Sequence, residues 1–85
     1  MSLRVGKLYQ ISSYFSFRVF LYEDTECKVQ HLPYKDKVMR ANDIFLIIEI
    51  IKPYLPYIRV YKVLFKDRAG YVAMTGDREA AMIEL

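Results

Sequence analysis

Seven of the eight residues from Ile44 to Ile51 are apolar, the exception being Glu49. The run is far short of the roughly 20 residues that a membrane-spanning helix requires. Side chains alternate between the two faces of a strand. Ile44, Leu46, Ile48 and Ile50 therefore share one face, and Phe45, Ile47, Glu49 and Ile51 the other. A strand so apolar on both faces must lie centrally in a sheet or be covered by another element. With 85 residues in total, a folded chain buries somewhat over ~60% of the surface it would expose unfolded. There is material for one domain, spanning residues 1–85, and none for a large enzyme architecture.

The same period of two recurs along the chain. Val5 to Ile11 alternates, with Val5, Lys7, Tyr9 and Ile11 on one side, and Phe17 to Tyr22 reads as a second strand. Glu23 to Asn42 is mostly polar and reads as a long loop, with a short strand at Lys28 to Leu32. Asn42-Asp43 supplies turn chemistry before the apolar strand. Pro53 and Pro56 each remove a backbone donor, so Lys52 to Tyr57 reads as a connection. Ile58 to Lys66 and Tyr71 to Met74 form a hairpin across Asp67-Arg68-Ala69-Gly70, with Gly70 expected at positive φ. Asp77 is placed to cap a helical turn reaching Ala81, and Met82 to Leu85 closes the fold as a last strand. The pattern predicts an all-β chain: a small, mainly antiparallel barrel of five to six strands with a short helical turn near its C-terminus.

Charge and cysteine set the context. Thirteen basic and ten acidic side chains give a net +3, a balance that does not by itself mark a nucleic-acid or membrane binder. The imbalance is local: residues 1–22 carry Arg4, Lys7 and Arg18 without an acid, and Glu23, Asp24, Glu26 and Asp36 follow. A single cysteine, Cys27, excludes an intrachain disulfide and points to a reducing, cytoplasmic setting. The start lacks a long apolar stretch after its charges, so no secretory signal and no membrane association are expected.

Ala41 to Glu49, then Tyr57 to Val63, then Asp67-Arg68-Ala69-Gly70-Tyr71-Val72, taken in order, resemble the middle and distal part of a Src homology 3 domain, and Leu8-Tyr9 is similar to that family's first strand. The resemblance implies a groove for proline-rich peptides, lined by aromatic rings and edged by acids of the long loop, here Glu23, Asp24 and Glu26. A polyproline helix loses little entropy on docking against flat rings. Tyr9 matches the first tyrosine of the family's opening motif, whereas Ile11 stands where the second would be. No tryptophan opens the strand after the proline-containing connection, and Tyr57 is the nearest aromatic substitute. Ala73 to Gly76 replace the family's later proline and tyrosine. Stand-alone barrels of this type are similar to proteins of bacteria and their phages.

Tyr14 and Phe15 near the first loop, with Tyr54 and Tyr57 around the second, are candidate contact anchors, because rigid amphipathic rings bind well at low entropic cost. Their structural alternative is to plug the ends of the barrel. A different class of function, nucleic-acid binding, would use Lys7, Arg18, Arg59 and Lys62 beside Tyr9 and Tyr61, cations for phosphate and rings for base stacking. Catalysis has little to stand on. His31 is the only histidine, Cys27 lacks an orienting group, and the three glycines are scattered. The reading is a non-catalytic module that binds a protein or peptide partner through Tyr9, Tyr14, Phe15, Glu23, Asp24, Glu26, Tyr54 and Tyr57, with no cofactor. A second copy of the chain is a further candidate partner, since the apolar strand needs cover.

Overall fold

The computed structural model describes residues 3–27, 38–55 and 57–85, residues 52–55 by their backbone. The expected strand at Lys28 to Leu32, together with His31, Pro33 and Pro56, lies outside the described residues. The elements are β1 (Leu8–Ile11), β2 (Val19–Phe20), β3 (Val38–Met39), β4 (Ile44–Leu55), β5 (Ile58–Phe65), β6 (Arg68–Thr75), α1 (Gly76–Ala80) and β7 (Met82–Glu84). Five strands form one antiparallel sheet in the order β6-β5-β4-β1-β7, and β2 and β3 pair as a separate ribbon. The fold is mainly antiparallel β. Tyr22 joins the outer edge of β6 through a two-way backbone bridge with Tyr71, at 2.8 and 2.9 Å. Among the described residues no ladder joins β7 to the ribbon.

The doubly apolar segment occupies the middle of the sheet as β4, paired to β1 on one side and β5 on the other. One face is covered: Phe45 and Ile47 are fully buried, whereas Ile44, Ile48 and Ile50 stay partly exposed. The alternation read from sequence breaks at Ile48. Ile47 pairs with Val63 but Glu49 pairs with Lys62, which leaves Ile48 as an extra residue. Such a bulge shifts the phase of the strand. It carries Glu49 away from the core-facing side it would otherwise share with Ile47, and places it opposite a lysine.

Two other local expectations are corrected. Lys52 to Tyr57 is not wholly a connection, because β4 runs through Pro53 to Leu55. The ladder is interrupted between Ile51 and Leu55, and a proline without a donor is tolerated at such an irregularity. The β5–β6 turn is tighter than expected: Phe65 pairs with Arg68, leaving only Lys66 and Asp67 in the loop. The positive φ falls on Lys66, at 55°, and Gly70 sits inside β6 opposite Val63.

The Asn42-Asp43 turn is present. Asn42 takes a φ of 75°, and Asp43 accepts the Arg40 N–H at 2.7 Å. The helical turn and closing strand also occur, although Thr75 rather than Asp77 is the cap, its hydroxyl accepting from the Arg78 N–H. The core lies between the inner face of the sheet and the ribbon. Val19, Leu21 and Met39 from the ribbon side cluster with Tyr9, Ile11, Phe45, Ile47, Tyr61, Val63, Val72 and Met74. The opposite face of the sheet carries a row of leucines. Leu8 pairs with Leu46 and Leu46 with Leu64, and the Leu85 N–H donates to the Leu8 carbonyl at 2.9 Å. Leu8, Leu64 and Leu85 are exposed.

Candidate functional site

Two clefts flank α1, and the sequence of the first loop builds one of them. Ser12 N–H donates to the Ala81 carbonyl at 2.8 Å, tethering the loop to the end of the helix. A turn then forms as Phe15 N–H donates back to the Ser12 carbonyl at 3.0 Å, and Tyr14 N–H donates to the Ser12 hydroxyl at 3.3 Å. The turn leaves Tyr14 95% exposed and Phe17 66% exposed. Phe15 packs on the core and meets Phe17 edge to face, with ring centroids 5.8 Å apart. Between these rings and α1 runs an open groove of about 550 Å³, bordered on the helix side by Asp77, Arg78 and Ala81 and reaching Ile83 of β7.

The second cleft, about 480 Å³, lies on the side of α1 facing the N-terminal segment and is lined by Leu3, Arg4, Tyr9, Glu79, Met82 and Glu84 among others. Two parallel hydrogen-bond relays meet here, each begun by one of two consecutive backbone N–H groups. Leu3 N–H donates to the Tyr61 hydroxyl at 3.1 Å, and that hydroxyl donates to Glu79 Oε1 at 2.9 Å. Arg4 N–H donates to the Tyr9 hydroxyl at 2.7 Å, which donates to Glu84 Oε1 at 3.1 Å. The Arg4 guanidinium also clasps the Glu84 carboxylate through Nε and a terminal nitrogen. This bidentate geometry is the strongest form of such a pair. The hydrogen bond from Arg4 holds the Glu84 carboxyl below its usual range, and Glu84 in turn raises the already high pKa of Arg4. Burial pushes the Tyr61 phenol above its ordinary value, reinforced by Glu79 and opposed by the Leu3 N–H and Arg59.

The expected site residues are dispersed. Tyr14 and Phe15 share the groove. Tyr57 is 84% exposed but belongs to the β4–β5 connection and lines neither cleft. The Tyr54 side chain lies outside the described residues. Tyr9 is 4% exposed, its ring stacked near Phe45 and its hydroxyl committed to Glu84. Glu23, Asp24 and Glu26 follow β2, line neither cleft, and each has interactions of its own. Burial, and to a lesser extent Asp24, lifts the Cys27 thiol to a pKa of about 11. Of the basic and aromatic set considered for nucleic acid, Lys7 and Arg18 are exposed, whereas the rings of Tyr9 and Tyr61 are inside the core. Among the described residues no cluster of histidine, cysteine or carboxylate side chains is arranged to hold a metal.

Sequence reading missed the second cleft. Arg4 and Glu84 are 80 positions apart, and only the pairing of β1 with β7, with Tyr9 opposite Glu84, brings them together. No motif spacing encodes that. Glu79 reads in sequence as one more helix-tolerant residue of the turn. No protein-family model matches the chain, and neither the curated proteins nor the solved structures contain a match.

Proposed function

We propose that the chain is a non-catalytic binding module of Src homology 3-like type that docks a protein partner on the groove between the first loop and α1. The observation that carries this reading is the pair Tyr14 and Phe17, held out in solvent at the mouth of an open groove by a turn tethered to the helix. Large exposed rings beside an apolar depression are the usual makings of a contact anchor. The family reading draws support from the order of elements: a first strand, a long loop bearing the β2–β3 ribbon, then three consecutive antiparallel strands, a helical turn and a closing strand. The groove differs from the one that the resemblance implies. Its rings come from residues 14–17, and its polar border comes from Asp77 and Arg78 rather than the acids of the long loop.

A photo-crosslinking residue placed at position 14, compared with one at the distant hairpin position 68, tests the reading in cells that express the protein. A discrete partner captured from position 14 alone, and lost on Phe17→Ala, is the expected result. The same proteins captured from both positions would show that the groove has no special role.

Self-association is a second reading, supported by the row Leu85, Leu8, Leu46 and Leu64 on the uncovered face of the sheet. Light scattering over a concentration series should show association that Leu8→Lys with Leu64→Lys removes. A monomer at every concentration would retire it.

A further inference from the structure

We infer that the cleft bounded by Arg4, Glu79 and Glu84 binds an organic monocation, the ammonium or guanidinium end of a short alkyl stem. The two relays differ in how their carboxylates are paired. Both end on a carboxylate facing the same cleft, and both are fed by a backbone N–H through a tyrosine hydroxyl. Glu84 has its cation, since Arg4 clasps it. Glu79 has none.

Glu79 is only 7% exposed, and taking a carboxylate out of water is unfavourable unless it is paired. An ionised carboxylate offers about four acceptor positions. Tyr61 fills one, and Glu79 Oε2 has no hydrogen-bond partner among the described residues. Arg59 acts on the Tyr61 hydroxyl, but it forms no ion pair with Glu79 and does not line the cleft. Because Tyr61 accepts from Leu3, its proton is directed at Glu79 and the carboxylate is held in a fixed orientation. The cleft therefore presents a carboxyl group that no ion pair engages among the described residues, with N–H acceptor capacity, beside Leu3, Ala80 and Met82 and the Tyr9 and Gly76 that also line it. Those apolar side chains suit an alkyl stem, and the adjacent Arg4–Glu84 pair is already neutral. The chemistry excludes anions and favours a group that brings both a positive charge and N–H donors. This site is separate from the loop groove, on the other side of α1, and stands whether or not that groove binds a protein.

The test is a two-dimensional NMR titration of the intact chain with n-butylammonium. Saturable shifts of the Gly76, Glu79 and Ala80 amides are expected, with affinity weakened at least about tenfold in Glu79→Gln, which keeps an acceptor for Tyr61 but removes the charge. Butyltrimethylammonium, which has the charge and stem without N–H donors, should bind the wild type more weakly. A blocked tripeptide with a central lysine distinguishes a basic side chain from a free amine as the source, by which of the two binds tighter. Absence of saturable shifts, or equal affinity for the trimethylated probe, overturns the proposal even if Glu79→Gln does not fold. Unchanged affinity in a folded Glu79→Gln overturns it as well.

Discussion

Tyr61, fully enclosed in β5, donates its hydroxyl to Glu79 of α1 across 2.9 Å while accepting the Leu3 N–H. One phenol thus links the N-terminal segment, the sheet and the helix. Tyr61→Phe leaves the Leu3 donor and the buried carboxylate each without that partner, a loss of about 1–3 kcal/mol. Urea denaturation at neutral pH should read it, and the same substitution in a Glu79→Gln background should cost less. Alkali gives a second readout. The native pKa of Tyr61 lies above its ordinary value of 10.0 because burial disfavours the phenolate. The corresponding stability is fully present below the unfolded pKa and is lost as pH rises through the native one. Tyr61→Phe should flatten that alkaline decline. An unchanged slope would assign the decline to other groups.

The Arg4–Glu84 pair acts at the other end of the pH scale. Glu84 is held below its usual pKa by Arg4, so its contribution is present above the ordinary carboxylate range and is lost as pH falls through the depressed native value. Carboxyl-detected NMR titration should show the Glu84 midpoint moving up toward its unperturbed position in Arg4→Ala. Both side chains are accessible, so added salt should weaken the shift in the wild type. A midpoint that ignores Arg4→Ala would mean the Tyr9 hydroxyl and Lys7 set it.

Cys27 should be a slow nucleophile. Its pKa of about 11, raised by burial and by Asp24, leaves roughly a hundredfold less thiolate at pH 8 than an ordinary cysteine has, and the thiolate is the reactive form. Alkylation by iodoacetamide should be sluggish at pH 8 in the native protein, accelerate toward pH 11, and become fast at pH 8 in denaturant. Equal native and denatured rates would remove the burial argument.

Lys66 holds a φ of 55° in the two-residue turn between β5 and β6, a conformation that costs a residue with a Cβ roughly 1–2 kcal/mol. Its ammonium lies 5.2 Å from the centre of the Phe65 ring, a contact that glycine and alanine both remove. Comparing the two substitutions isolates the backbone term. Lys66→Gly should be more stable than Lys66→Ala by about 1 kcal/mol in thermal or chemical melts. Equal stabilities would show that the turn relaxes when its side chain is shortened.

Much of the architecture was legible because it depends on local patterning. The alternation around Tyr9 and Ile11, the run at Ile44, the hairpin and the turn-then-strand ending at Glu84 each follow from neighbours in sequence choosing opposite faces of a strand. The single charge in the apolar run, Glu49, marked a tension that sequence could not resolve, since either a buried acid or a broken register would satisfy it. The tertiary structure chose the broken register at Ile48 and set Glu49 opposite Lys62. The first-loop rings were legible as residue types, but their exposure was decided by the tether from Ser12 to Ala81.

The second cleft was invisible for a stricter reason. Its residues come from the N-terminal segment, β1, α1 and β7, and their chemistry arises only when β1 and β7 pair and the Tyr61 hydroxyl meets Leu3 and Glu79. Sequence alone determined a small all-β domain built around one doubly apolar strand, because alternation and turn chemistry are local. Which face of that strand is covered, which aromatics reach solvent, and that the accessible Glu84 is paired with Arg4 while the buried Glu79 forms no ion pair among the described residues were decided by long-range pairing, which places side chains up to 80 positions apart within hydrogen-bonding distance.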